Sequence, residues 1–233
     1  MRFRLVIVIA LFFLNCEDKQ TSKQTNTSKQ KDTIVEKPKE IPKKKTKPEF
    51  PVLTDNNAME FFLEYEKEHK ENKVRIYTDF GNIDILLYDK TKFHRANFIY
   101  LTKRNYFDGT QFYRVVPNFV IQGGSSDDYN IAKRRRKIGH YLLPPDTKRG
   151  YTHKRGAVSM PSSEMENAYK LASPFQFFII QRPTGAAYLD KEYTVFGEVI
   201  DGMDVVDEIN AVETDEGDWP LHNVYIRKVE IIK

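Results

Sequence analysis

The sequence predicts a mainly β domain, a closed antiparallel barrel capped at its ends by two helices and preceded by a short helical extension. Three observations carry that expectation. Apolar residues alternate with period two in many short runs from Lys73 onward, only two later stretches hold helical spacing, and Gly, Asn, Asp or Pro punctuate the runs. At 233 residues the chain has room for one ordinary domain plus tails.

Residues 50–72 form the extension, in which Thr54 or Asp55 caps a helix whose Ala58, Phe61, Phe62 and Tyr65 share one face, expected to pack on the domain. The domain proper, 73–233, opens with a hairpin: Val74 and Ile76, a turn over 79–82, then Ile83, Ile85 and Leu87 alternating with Asn82, Asp84 and Leu86. Residues 94–104 read as a helix through Ala96, Phe98, Ile99 and Leu101, ended at Asn105. Further strands are expected at 112–116, 119–122, 157–160, 177–180, 195–199 and 224–232. A second helix covers 201–212, with Val205, Val206 and Ile209 facing inward. Two long stretches read as loops: the basic 127–154, whose Arg134-Arg135-Arg136 is taken as solvated, and 163–174. Gly123-Gly124 lacks the lysine and hydroxyl residue of a phosphate loop and reads as a bend in a strand.

The N-terminus carries Arg2 and Arg4, an apolar run over 5–14, then Asn15 and Cys16. That is the charged head and short apolar segment of an export signal, too short for the ~20 apolar residues that span a bilayer. Cys16 directly behind the run resembles the lipidated cysteine of a bacterial lipoprotein; the alternative is an ordinary export signal with an incidental thiol. It is the sole cysteine, which excludes an internal disulfide and a Cys-rich metal site. Residues 17–49 are Lys, Thr, Ser, Gln, Glu and Pro with few apolar side chains, a disordered tether with an end-to-end distance of roughly 30 Å. The implied location is the cell envelope, lipid-anchored to a bacterial membrane and either periplasmic or surface-exposed. Charge follows the same division. The chain carries +4 overall, but the tether holds ten Lys against six acids and the signal two Arg, which leaves residues 50–233 at about −2. The folded part therefore lacks the basic surface that nucleic-acid binding requires.

The segment YFDGTQFYRVVPNFVIQGG, residues 106–124, places an arginine and a glutamine among apolar residues on two successive strands. Period two sets Phe112, Arg114 and Val116 on one face, Val120 with Gln122 on one face of the next strand, and Gln176, Phe178 and Ile180 of FQFFII on another. A third segment, AYLDKEYTVFG at 187–197, adds Tyr188, Leu189 and Tyr193. Singly, each phenylalanine reads as core and the arginine as surface; their joint spacing resembles the cyclophilin-type peptidyl-prolyl cis-trans isomerases over residues 73–233. The resemblance implies an eight-stranded antiparallel barrel. It implies Arg114 as the catalytic residue, with substrate-binding roles for Phe119, Val120, Gln122, Ser162, Gln176, Phe178, Tyr188, Leu189 and Tyr193. The implied partners are proline-containing polypeptide clients, with no nucleic acid and no cofactor, and the membrane is reached through lipidation of Cys16. No feature compels an oligomer, so a monomer is expected.

Such chemistry needs no nucleophile. Rotation about an X-Pro amide is opposed by resonance, with a barrier near ~18–20 kcal/mol. A catalyst must hold the ring and favour the twisted amide, whose nitrogen has regained its lone pair. A guanidinium stays protonated and offers fixed donors, so it stabilises that nitrogen without acting as a base. The chain departs from the best-known eukaryotic members at Tyr113, Tyr188 and Tyr193, which stand for His, Trp and His, and at Val120, which stands for Met. Without an indole N–H at Tyr188, cyclosporin is expected to bind more weakly than to the eukaryotic forms, and a nanomolar affinity by calorimetry would contradict this. At Pro161-Ser162 the family often has Ala-Asn or Ala-Arg; Ser162 retains the backbone N–H that meets the substrate carbonyl, whereas Pro161 has none to give. The alternative function is thus a catalytically weak proline-binding or chaperone module. A metalloenzyme or hydrolase finds no support, since the five histidines are scattered and neither HExxH nor GxSxG occurs.

Overall fold

The computed structural model describes residues 50–162 and 168–233. The expected lipidation site Cys16, the expected signal 1–16 and tether 17–49, and part of the loop 163–174 lie outside the described residues. The elements run β1 (Leu53–Thr54), α1 (Ala58–Glu68), β2 (Lys73–Thr78), β3 (Gly81–Leu87), α2 (Lys92–Lys103), β4 (Thr110–Val116) and β5 (Val120–Ser125). They continue with α3 (Tyr129–Ile138), β6 (Gly139–His140), β7 (Ala157–Met160), β8 (Phe177–Ile180), β9 (Thr194–Asp201), α4 (Met203–Asn210) and β10 (Val224–Ile231). Eight strands close into an antiparallel barrel in the order β10-β2-β3-β9-β7-β8-β5-β4. Closure leaves the barrel itself without a free sheet edge.

Alternation decides which residues fill the barrel. Ile83, Ile85 and Leu87 of β3 and Phe177 and Ile179 of β8 enter the main core, with Phe98 and Ile99 of α2 and Val206 and Ile209 of α4 closing over it. Asn105, at φ 50°, ends the α2 segment in the left-handed region that Asn tolerates. Gly124 is the bend expected in β5: its φ is 95°, and a Cβ there would lie 2.4 Å from the Phe175 carbonyl oxygen.

The extension is fastened to the barrel within one compact unit, Pro48–Lys233. Tyr100 of α2 meets Phe61, Phe62 and Tyr65 of α1 edge to face, with centroids 5.1, 5.7 and 5.4 Å away. Buried Arg95 of α2 pairs with Glu66 of α1 at 3.4 Å. The cap differs from expectation. Asn57 holds the N-cap position without a side-chain cap bond, Thr54 belongs to β1, and the Asp55 carboxylate instead accepts the Leu142 N–H at 2.9 Å. β1 lies parallel to β6, an approach so close that a Cβ on Gly139 would stand 1.9 Å from the Leu53 carbonyl oxygen.

Two further expectations are corrected. Residues 127–154 contain α3, whose start is capped by Asp128 accepting the Asn130 N–H at 2.6 Å and whose Ile131 and Ile138 are buried. Two of its arginines are engaged rather than solvated, since Arg134 donates to the Asn105 and Asp108 carbonyls and Arg135 lies 4.8 Å over the Phe175 ring, while Arg136 is exposed as expected. On β4, Phe112 does not share a face with Arg114. A bulge between them, Phe112 opposite Gly123 and Arg114 opposite Gln122, turns Phe112 into the main core and leaves Arg114 on the other side.

A buried hydrogen-bond relay positions the start of β8. Tyr141 Oη donates to Asn97 Oδ1 at 2.7 Å, and Asn97 Nδ2 donates to the Pro174 carbonyl at 2.8 Å. Tyr141→Phe leaves a buried acceptor unpaired and is expected to cost about 1–2 kcal/mol, read as a lower urea midpoint at unchanged m.

Candidate active site

The outer face of the barrel carries a second, smaller apolar cluster, in which Val120, Ala157, Phe178, Ile180, Ala186 and Val195 are buried and Phe119, Leu189 and Tyr193 pack at its edge. Above it opens a cavity of about 110 Å³ lined by Arg114, Phe119, Val120, Gln122, Pro161, Phe178, Leu189 and Tyr193. This is several times the ~10–15 Å³ that one water needs and suits a small ring. Seven of the ten residues expected at the site therefore converge on one cavity. Ser162, Gln176 and Tyr188 do not line it. Ser162 bridges to Ala172. Gln176 is half-buried just before β8, outside the strand whose alternation was expected to aim it. Tyr188 is 64% exposed and stacks on the outer side of Phe119, centroids 6.2 Å apart.

Sheet register aligns the centre of the site. Arg114 of β4 pairs with Gln122 of β5, Gln122 with Phe178 of β8, and Phe178 with Ser159 of β7, a row across four adjacent strands. Phe119 stands in the turn between β4 and β5. Asn210 at the end of α4 clamps that turn, accepting the Asn118 N–H at 2.9 Å and donating to the Val116 and Val120 carbonyls at 2.9 and 3.2 Å. The Gln181 N–H donates to the Phe119 carbonyl at 2.8 Å. Neither contact is visible in the spacing of the motif.

Phe178 forms the cavity floor. Tyr193 meets its ring edge-on at 5.8 Å, and the His153 ring lies nearly parallel at 5.9 Å. Beneath it, His153 Nδ1 bonds Asp190 Oδ1 at 2.7 Å and Nε2 meets Ser159 Oγ at 3.1 Å, while Ser159 Oγ donates to the Thr194 carbonyl at 2.9 Å. Burial lowers the His153 pKa from its ordinary value, against the opposing pull of Asp190. The order Asp, His, Ser is that of a nucleophilic triad, but Ser159 is fully buried with its hydroxyl on a backbone carbonyl. The chain of bonds supports the floor rather than attacking a substrate.

Polar groups at the mouth are few. Arg114 Nη2 donates to Asp218 Oδ2 at 2.9 Å, and Gln122 Nε2 donates to the Tyr113 hydroxyl. Among the lining residues only Arg114 is a cation, and it offers donors but no basic lone pair. The site can hold an apolar ring and direct hydrogen bonds at one edge of it.

The model of the family described as cyclophilin type peptidyl-prolyl cis-trans isomerase/CLD matches residues 73–231. A peptidyl-prolyl cis-trans isomerase of Acinetobacter baylyi is 35% identical over 164 residues, covering 68% of this chain and 82% of that protein. A peptidyl-prolyl cis-trans isomerase-like 2 of Rhizopus delemar is 34% identical over 169 residues, and the aligned part is 72% of this chain but only 30% of that longer protein. Among solved structures, a cyclophilin type isomerase of Cryptosporidium parvum superposes with a TM-score of 0.57 at 24% identity, covering 69% of this chain and 99% of that one. The barrel, the cavity on its outer face and these matches agree, and the chain belongs to the cyclophilin-type peptidyl-prolyl cis-trans isomerase family.

Proposed function

We propose that the protein accelerates rotation about X-Pro bonds in polypeptide clients by non-covalent stabilisation of the twisted amide. The observation that carries this is a fixed guanidinium, Arg114, at the mouth of an apolar cavity floored by Phe178 and walled by Phe119, Val120, Leu189 and Tyr193. The walls take the proline ring, and donors of Arg114 meet the amide nitrogen as it pyramidalises. Gln122, cross-strand from Arg114, supplies a second polar edge. Ser162, Gln176 and Tyr188 stand outside the cavity, so in this reading they meet the flanking peptide and not the ring. In support of such a substrate, the Cryptosporidium structure was obtained in the presence of an Ala-Pro dipeptide.

The export-type N-terminus and Cys16 support a lipid-anchored enzyme acting on exported clients at the bacterial cell envelope. Pro161 favours one second reading. It lines the cavity and brings no backbone N–H, so a module that binds proline without turning it is the competing account. Exchange NMR of an Ala-Pro peptide with the purified protein separates the two. Accelerated cis-trans exchange supports the isomerase, and binding without acceleration supports the module.

A further inference from the structure

The loop from Thr214 to Pro220 belongs to none of the motif segments, yet it touches Arg114 directly and approaches Gln122 by way of Tyr113. It is built to hold one shape. Thr214 and Pro220 form a bridge, Asp215 Oδ1 accepts the N–H groups of Gly217 and Trp219 at 2.8 and 2.9 Å, and the Asp215 N–H donates to the Trp219 carbonyl at 2.8 Å. Its tip is tied to β4 where the Val115 N–H, next to Arg114, donates to the Asp218 carbonyl at 2.8 Å. Asp218 itself adopts φ 65°, the left-handed region that Asp and Asn enter more readily than other non-glycine residues. That conformation accompanies a carboxylate set on Arg114 Nη2 at 2.9 Å. Next to it, the Trp219 ring lies 5.8 Å from Tyr113, whose hydroxyl accepts from Gln122.

We propose that Asp218 is the positioning residue for Arg114 in X-Pro isomerisation, and that the Thr214–Pro220 loop is the frame that aims the guanidinium. The inference rests on the isomerase reading. Arg114 is a long side chain 39% exposed at the mouth of the cavity, free of the packing that fixes Phe178, and its donors stabilise a transition state only if they are in place beforehand. Asp218 bonds one terminal nitrogen, and the remaining donors make no other side-chain hydrogen bond among the described residues. An ion pair exposed to this degree contributes little to fold stability. Its removal should therefore act on rate and not on melting.

The test is a double-mutant cycle on the full chain, reading kcat/KM for an Ala-Pro peptide by exchange NMR together with the thermal midpoint. Asp218→Ala is expected to lower kcat/KM about tenfold, mostly in kcat, with the midpoint unmoved, because a misaimed donor loses transition-state contact more than substrate affinity. Asp218→Asn, which keeps the acceptor without the charge, should recover most of that loss. In the Arg114→Ala background, Asp218→Ala should cost nothing further. An unchanged rate in Asp218→Ala, or an equal loss with Arg114 absent, overturns the positioning role while leaving the isomerase in place. If the wild-type chain itself fails to accelerate exchange, the isomerase reading falls and this inference with it.

Discussion

Arg114→Ala should lower kcat/KM for X-Pro exchange roughly 10²-fold or more, the loss typical when a preorganised donor to a transition state is deleted. Uncatalysed exchange takes tens to hundreds of seconds, so such a loss removes most of the useful acceleration. The cavity should survive, because Phe119, Val120, Phe178, Leu189 and Tyr193 pack on an apolar cluster that does not include the arginine. Peptide affinity should therefore change far less than turnover, the signature of an interaction made chiefly in the transition state. Arg114→Lys should not rescue the rate, since a single ammonium cannot engage Asp218 and present a second fixed donor in the guanidinium geometry. Turnover of Arg114→Ala within about threefold of wild type would remove the arginine from the mechanism.

The second large effect is on stability in acid. His94 of α2 is fully enclosed, its ring 6.2 Å from Phe196, and neither ring nitrogen has a hydrogen-bond partner among the described residues. Burial pushes its pKa down to about 4, with only Asp146 pulling the other way. The folded value lies below the unfolded 6.5, so between the two the unfolded chain binds more protons. Stability from this group is thus whole above about pH 6.5 and lost as the pH falls toward 4, by roughly 3 kcal/mol in all. Urea unfolding at pH 7 and pH 4 should show the loss in the wild type. His94→Leu should show a loss smaller by that amount, and at pH 7 it should be no less stable, because it removes two unpaired polar atoms from the core. An unchanged pH response in the variant would mean the imidazole is not the acid-sensitive group.

Much of the barrel was legible because alternation and burial coincide. Ile83, Ile85 and Leu87 point inward as their spacing implies, and 157–160 and 177–180 are strands at their predicted bounds. Local signals failed where a tertiary contact decides. The bulge that separates Phe112 from Arg114 has no residue signature, and period-two counting carries both to one face. α3 was missed because only Ile131 and Ile138 are buried in a segment otherwise full of charge, leaving a weak apolar stripe. At the site, the residues that pave the cavity could be recognised from the motif, whereas those that hold it could not. Asp218 is 104 residues from Arg114, Asn210 clamps a turn 92 residues away, and His153 reaches Asp190 across 37. Tyr188 shows the converse. A matched position does not fix which way a ring turns, and here it stacks outside the wall.

The order Phe177-Phe178-Ile179-Ile180 in β8 makes the strand a palimpsest: slide it by one place and one face again receives a phenylalanine and an isoleucine, while the other must take in Gln176 or Gln181. The four apolar residues alone cannot tell the native address of this strand from its neighbour, because the inward pair Phe177 and Ile179 and the outward pair Phe178 and Ile180 are chemically identical. The information must come from the ends. Asn97 grips the Pro174 carbonyl before the strand, the absence of a Cβ at Gly124 lets the Phe175 carbonyl approach closely, and Gln181 bonds Phe119 after it. These clamps, and not the apolar run, decide which phenylalanine becomes the floor on which a proline would rest.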